Sequence, residues 1–210
     1  MTAKDCGHED DERKKLHRRL LTASLAFLLL ILFLILLIWL ILQPSKPAFL
    51  LQDATVFAFN LSAANTLTTT IQVTLAARNS NQRIGIYYDR VDVYAAYHGQ
   101  QITLPTLLPP TYQGHKDSAV WSPFLYGDAV PVAPELGVAL GQDQIAGTLM
   151  VNIRVRGRIR WKVGTFVSGG YHLYVNCLAF INSGGRSVGI GGGGEVAVKY
   201  QLVMDCHVDV

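Results

Sequence analysis

The chain has 210 residues, which is long enough for one domain and one membrane anchor and does not require a second domain. Half of the residues are hydrophobic and 16% are charged, which is unusual for a wholly soluble domain. The excess of apolar residues is concentrated in one segment near the N-terminus. The formal net charge of +3 gives no indication of nucleic-acid binding, because the strongest basic cluster directly precedes that segment.

The apolar segment predicts a transmembrane helix over residues 20–42. No charged residue occurs between Leu20 and Leu42, and about 20 apolar residues suffice to cross the hydrocarbon core of a bilayer. The alternative is a cleaved signal peptide, whose apolar region is about 7–15 residues long and ends at small residues. The segment is longer than that, and the QPSKPAF that follows contains no such cleavage site. The sequence therefore favours an uncleaved anchor.

The residues that flank this helix predict its orientation. The basic residues just before it are Arg13, Lys14, Lys15, Arg18 and Arg19, whereas Lys46 is the only one close behind it. By the positive-inside rule, residues 1–19 form a cytosolic tail and the chain from residue 43 onwards lies outside the cytosol. The tail is short and highly charged, which predicts disorder. Residues 43–48 contain two prolines and predict a short stalk.

From residue 49 to residue 210 the sequence predicts a β-sandwich. Apolar and polar residues alternate in TTTIQVTLAAR, where Ile71, Val73 and Leu75 share one face, and in RVDVYAAY. Clusters of Gly, Pro, Asn and Ser separate such runs, and no segment after Leu42 shows a helical stripe with caps. About seven or eight short strands are predicted to form an all-β, immunoglobulin- or fibronectin-III-like antiparallel sandwich.

Three segments resemble those of a known family. RNSNQRIGIYYD resembles an Asn-Pro-Asn motif followed by an aromatic pair, LPPTYQG resembles a Pro-Pro-x-x-Gln-Gly segment, and GRIRWKVGTFVSGGYHLYVNC is similar to a closing signature. The family is the plant harpin-induced and non-race-specific-disease-resistance-like group, whose outer portion is a late embryogenesis abundant group 2 domain. Ser80 stands where that family commonly has proline. The resemblance implies a plasma-membrane protein with an apoplastic sandwich that acts in plant defence or stress responses by binding protein partners, without catalysis.

A stripe of five cations runs along the segment RVRGRIRWKVG. On a strand, alternation places the cations on one face and the intervening residues on the other; the five are Arg154, Arg156, Arg158, Arg160 and Lys162. One interpretation is a solvated strand face whose charges discourage edge-to-edge pairing. The other is an anion-binding stripe, suited to acidic cell-wall polysaccharide, lipid headgroups or an acidic protein partner.

The segment RNSNQRIGIYYD contains a turn and a second candidate contact surface. Asn79 and Asn81 can each hydrogen-bond the backbone two residues on, so they are predicted to turn the chain. In the strand that follows, Tyr87 and Asp89 share the face opposite to that of Tyr88. These residues either build the structure or, if the segment contacts a ligand, make that contact through Tyr87 and Asp89.

Two features of the sandwich depend on its lying in an oxidising, secretory compartment. Cys177 and Cys206 are the only cysteines after the anchor, and they either form a disulfide or remain as two buried thiols. Asn60 begins the Asn-Leu-Ser sequon and is a candidate glycosylation site. Both the disulfide and the two free thiols, and both an occupied and an unoccupied Asn60, are compatible with the sequence.

Signals of catalysis are weak. Gly189, Gly191 and Gly194 satisfy G-x-G-x-x-G only inside a glycine run, and a predicted strand rather than a helix follows. The histidines have no ligand spacing that indicates a metal site: His98, His115, His172 and His207. We therefore expect a binding protein without cofactor. The alternatives are a tether between the membrane and an anionic wall polymer or a desiccation-protective protein, and, less favoured, a sandwich that holds an apolar ligand.

Overall fold

The structure is a computed structural model that describes residues 6–42, 44–182, 198–200 and 203–210. It divides into two compact units, Met1–Gln43 and Pro44–Val210. The glycine run with Gly189, Gly191 and Gly194 lies outside the described residues, as do the first five residues of the predicted tail.

The first unit contains one long helix, α1 (Cys6–Leu42). Within it, Lys14–Leu37 is long and apolar enough to cross a membrane, by length and composition. The helix begins at Cys6, so the prediction of disorder for the tail is wrong from that residue onwards.

The second unit is built mainly from antiparallel strands. In chain order they are β1 (Ala48–Leu61), β2 (Thr66–Arg78), β3 (Gly85–Tyr97), β4 (Gln100–Gln101), β5 (Thr106–Leu108), β6 (Thr111–Gln113), β7 (Ser118–Trp121), β8 (Phe124–Pro131), β9 (Thr148–Val163), β10 (Phe166–Val167), β11 (Tyr171–Asn182), β12 (Val198–Tyr200), β13 (Met204–Asp205) and β14 (His207–Asp209). The central strands are longer than the sequence predicts, since β9 alone has 16 residues.

The strands form two sheets. Sheet A has the order β12-β1-β2-β7, with β13 on β1 and β8 on β2, and sheet B has the order β14-β11-β9-β3-β4, with β10 on β9 and both β5 and β6 on β3. Alternate residues of the central strands pack between the sheets, so that Ile71, Val73 and Leu75 of sheet A and Val155 of sheet B are completely buried. The predicted antiparallel sandwich is therefore confirmed, with the predicted residues in its core.

One helix interrupts the strands, although the sequence pattern predicts none after residue 42. Helix α2 (Pro134–Ala146) begins with a proline in its first turn and ends at Gly147, whose φ of 76° is left-handed. Proline at a helix start and glycine just past its end are ordinary boundary signals. The helix was missed because its apolar residues do not lie on one stripe: Leu140 is buried, whereas Ile145 is 90% exposed.

Helix α2 is held against sheet B by a tyrosine. The Tyr97 hydroxyl donates a hydrogen bond of 2.7 Å to the Asp143 carboxylate. Burial raises the pKa of the Tyr97 phenol, and the hydrogen bond and negative charge of Asp143 raise it further. Tyr97 therefore stays protonated and keeps its donor role.

The predicted asparagine turn forms a buried polar network. The Asn79 side-chain oxygen accepts a hydrogen bond from the backbone N–H of Asn81, two residues on as predicted. Its Nδ2 donates to the carbonyls of Ile84 and Gly114, at 2.7 and 2.9 Å. Asn81 instead accepts from the N–H of Ser45 and donates to the carbonyl of Ser45. These bonds attach part of the predicted stalk to the sandwich.

The glutamine of LPPTYQG extends this network. Gln113 is fully buried, and its Nε2 donates to the carbonyls of Ala77 and Asp117. Its Oε1 accepts a hydrogen bond of 2.9 Å from the Tyr88 hydroxyl, whose pKa is raised by burial. Both sequence motifs therefore supply side chains that satisfy buried backbone groups at the end of the sandwich that carries residue 44.

Candidate functional site

The five cations of the stripe lie on the outer face of sheet B. They belong to β9, in which the residues that alternate with them point inward, so that Val155 and Ile159 are completely buried. Strand β9 is central in the sheet, with β3 on one side and β11 on the other. Arg154, Arg156 and Arg158 therefore each lie opposite one residue of β3 and one residue of β11.

Arg160 is engaged by an acidic residue of β3. Its Nε and Nη2 donate to the two carboxylate oxygens of Asp89 at 2.7 and 2.6 Å. A β-bulge between Tyr88 and Arg90 inserts Asp89 into the outer face at this point. The hydrogen bonds and the charge of Asp89 raise the pKa of the Arg160 guanidinium. Asp89, predicted as a contact residue, is thus bound to a neighbour in the same sheet.

Lys162 and Tyr87 belong to an aromatic cluster. The Lys162 Nζ lies 5.7 Å from the ring centroid of Tyr87 and 5.0 Å from that of Tyr112, within the range of cation–π attraction. The two rings lie 4.6 Å apart, and the Arg160 guanidinium lies 5.5 Å from the Tyr87 centroid. The stripe and the predicted contact residues therefore meet on one face, and at this end they bind one another.

Arg154, Arg156 and Arg158 form the rest of the stripe, here called the arginine row. The Arg156 guanidinium lies 5.4 Å from the ring centroid of Tyr94, and Arg156 and Arg158 are exposed. Among the residues that the structure describes, no acidic side chain forms an ion pair with any of the three. The charges of the arginine row are thus not neutralised by a carboxylate among the described residues, in contrast to that of Arg160.

Two adjoining depressions follow the arginine row. The first has a volume of about 580 Å³, and its lining includes Asp92, Arg156, Arg158, His172 and Tyr174. The second has a volume of about 220 Å³, and its lining includes Arg154, Arg156, Tyr174, Asn176, His207 and Asp209. Arg156 and Tyr174 line both depressions, which makes the two a continuous surface.

Strands β11 and β14 contribute further residues to this face that the sequence pattern alone does not assign to a site. His172, Tyr174 and Asn176 lie opposite Arg158, Arg156 and Arg154, respectively. The sequence predicts that these three side chains point outward, because they alternate in HLYVNC with Leu173, Val175 and Cys177, which are predicted to point inward. Their position beside the stripe could not be predicted from the sequence, because it depends on how β11 is aligned with β9. Among the described residues, no group of three or more His, Cys, Asp or Glu side chains is arranged to hold a metal ion.

Gly157 allows β3 and β9 to approach closely beneath the first depression. A Cβ atom on Gly157 would lie 2.5 Å from the carbonyl oxygen of Arg90 and 2.9 Å from the Cα of Val91. Because both atoms belong to the backbone, we expect Gly157→Ala to lower the free energy of unfolding by about 2 kcal/mol, measured by urea unfolding in detergent micelles. Gly169→Ala, where the added atom meets open space, should change it by less than about 0.5 kcal/mol. Equal effects would contradict the close approach.

Cys206 lies where the chain passes from sheet A to sheet B, beside Cys177 of sheet B. Cys177 is buried on β11, and Cys206 lies between β13 of sheet A and β14 of sheet B. Their sulfur atoms are within bonding distance and their Cα atoms are 4.4 Å apart. The geometry thus permits the disulfide, which would hold β14, with His207 and Asp209, beside the second depression.

The sequence relatives agree with the architecture. Residues 74–177 match the family model described as Late embryogenesis abundant protein, LEA_2. The chain is 54% identical to NDR1/HIN1-like protein 12 of Arabidopsis thaliana, with 100% of both chains covered. It is 56% identical to NDR1/HIN1-like protein 1 of the same plant, over 99% of this chain and 100% of the relative. NDR1/HIN1-like protein 26 is 41% identical over 80% of each chain. The chain therefore belongs to the NDR1/HIN1-like family and carries a LEA_2 domain.

Proposed function

We propose that this protein is a non-enzymatic, membrane-anchored binding protein that acts in plant defence or stress responses through its β-sandwich. The NDR1/HIN1-like relatives and the LEA_2 domain support this physiological setting. The helix segment Lys14–Leu37, which is long and apolar enough to cross a membrane, supports the anchor. The basic residues between positions 13 and 19, before the uncharged part of the helix, favour a cytosolic N-terminus and a sandwich outside the cytosol. We propose that the membrane is the plasma membrane.

The ligand that we propose for the sandwich is anionic, and the arginine row is the observation that carries this proposal. Adjacent cations of the row are separated by two residues of a strand, or about 6.6 Å, so they can contact neighbouring charges of one ligand. Protection of a sheet edge does not explain the row, because β9 is paired on both sides; a solvated strand face without a ligand is the alternative that the binding experiment tests. Three like charges in one row repel one another, and an anionic ligand would relieve that repulsion.

Binding of a soluble polyanion tests this function. The full-length protein, held in nanodiscs of phosphatidylcholine, would be titrated with highly sulfated dextran. We expect saturable binding that weakens at least about tenfold between about 0.1 and 1 M salt, because the Debye length falls from ~10 to ~3 Å. Absence of binding at the lower salt concentration, or binding that salt does not weaken, would contradict the proposal.

An extracytosolic sandwich would pass through the oxidising secretory compartment, where two covalent modifications can occur. We propose that Cys177 and Cys206 form a disulfide and that Asn60 carries a glycan. Asn60 is exposed in β1 near the β1–β2 turn, at the opposite end of a 14-residue strand from the stalk, which leaves room for a glycan. Two alkylatable thiols in the unreduced sandwich, or unchanged gel mobility after glycosidase treatment, would contradict the respective modification.

A further inference from the structure

We infer that the two depressions of sheet B are adjoining subsites for consecutive units of an acidic oligosaccharide. This inference rests on the proposed anion-binding function and adds the chemical class and direction of the ligand. It depends on a row of four side chains that crosses the sheet, perpendicular to the stripe.

The cross-strand row consists of directly opposed residues. Asp92 of β3 lies opposite Arg156 of β9, Arg156 lies opposite Tyr174 of β11, and Tyr174 lies opposite Asp209 of β14. Three inter-strand spacings of about 4.8 Å give the row a length of ~14 Å. A ligand lying along it would cross both depressions, because Arg156 and Tyr174 line each of them.

The charges along the row distinguish between classes of anion. A carboxylate stands at each end, Asp92 at one and Asp209 at the other. Arg156 stands between them, and Arg154 and Arg158 flank it along β9. A polyphosphate offers only acceptors and negative charge, so the carboxylates would repel it. A sugar acid offers a carboxylate to the arginines and hydroxyl donors to the aspartates. The lining is therefore complementary to an acidic sugar.

Neither end carboxylate is bound by the arginine row. Asp92 lies 3.7 Å from the Nε of Arg90, which is itself strongly exposed. Asp209 lies 3.4 Å from the Nζ of Lys46 and 3.2 Å from the Nε2 of His207, and all three side chains are more than half exposed. Exposed ion pairs of this kind are weak, so both aspartates can accept hydrogen bonds from ligand hydroxyl groups.

Tyr174 supplies an aromatic surface at the junction of the depressions. Its side chain is 51% exposed, and its ring is nearly parallel to that of His172, with an interplanar angle of 23° and centroids 6.3 Å apart. An aromatic ring packs against the apolar face of a sugar while its hydroxyl group remains available for hydrogen bonding. Arg154 and Arg158 stand on either side of Arg156 along β9, where each can bind the carboxylate of one sugar unit.

Chain length and two variants test the inference in the full-length protein in phosphatidylcholine nanodiscs. We expect trigalacturonate to bind at least about tenfold more tightly than galacturonate, because linked groups bind adjoining subsites together. Tyr174→Ala should weaken trigalacturonate binding by about tenfold, the effect of losing one good contact. Tyr126→Ala, which removes a tyrosine of similar exposure from sheet A, should leave that affinity unchanged.

Asp92→Ala is expected to change the affinities for two ligands in opposite directions. It should weaken trigalacturonate binding, because a hydroxyl acceptor is lost, and strengthen sulfated dextran binding, because a repulsive charge is removed. Two results would overturn the inference: equal affinity for galacturonate and trigalacturonate, or binding of polyglutamate as tight as that of trigalacturonate. In either case, binding of sulfated dextran would still support the proposed function. If sulfated dextran also failed to bind, both would be overturned.

Discussion

Replacement of Asn79 by alanine is expected to lower the free energy of unfolding of the sandwich by about 3 kcal/mol, because buried polar groups would lose their partners. The side chain is completely buried and donates to the carbonyls of Ile84 and Gly114. It also accepts from the backbone and side chain of Asn81. Alanine makes none of these four bonds. Urea unfolding of the full-length protein in detergent micelles measures the change.

Ser80→Ala is the matched control for this prediction. Ser80 lies in the same turn but is exposed, so its replacement should alter the free energy of unfolding by less than about 0.5 kcal/mol. If Asn79→Ala unfolded at the same urea concentration as Ser80→Ala, the asparagine network would not be what holds this end of the sandwich together.

The double replacement Arg156→Glu and Arg158→Glu is expected to weaken the binding of sulfated dextran by about 10- to 100-fold, since like charges would then face each other across the contact. Both arginines are exposed, and neither forms an ion pair with an acidic residue that the structure describes. The loss of binding should therefore occur without loss of folding, which thermal unfolding of the same samples would verify.

Arg78→Glu with Arg83→Glu changes the net charge by the same amount at another place. Both residues are exposed, Arg78 at the end of β2 in sheet A and Arg83 in the connection that precedes β3. This control should retain nearly all binding of sulfated dextran. Equal losses for the two double variants would mean that the overall charge of the protein attracts the polymer, and the arginine row would have no special role.

The alternation of residues was enough to predict the sandwich and the face on which the cations lie. In β9 the inward residues Val155 and Ile159 are buried, because successive side chains of a strand point to opposite sides. The neighbours of the cations could not be predicted in this way. Tyr174 lies beside Arg156 only because of the alignment of β11 with β9, and sequence patterns do not determine that alignment.

Local irregularities account for the other differences. The bulge at Asp89 brings a carboxylate onto Arg160; in IYYDRV it shows only as two successive polar residues, Asp89 and Arg90, which do not indicate that Asp89 contacts Arg160. Helix α2 had signals at both ends, proline at its start and glycine at its end, but its exposed apolar residues conceal the periodicity by which helices are recognised. The periodicity of the strands thus predicts the sheets more reliably than it predicts the bulges and short helices within and between the strands.

The proposed action at the cell surface, and any contact of the arginine row with a wall polysaccharide, require that residues 44–210 lie outside the cytosol. Protease treatment of intact protoplasts that carry the full-length protein with a C-terminal tag tests this directly. We expect the tag to be lost while a cytosolic marker protein survives, because the basic residues before the anchor favour a cytosolic N-terminus. A tag that survives, in cells whose other surface proteins are digested, would contradict a sandwich at the cell surface.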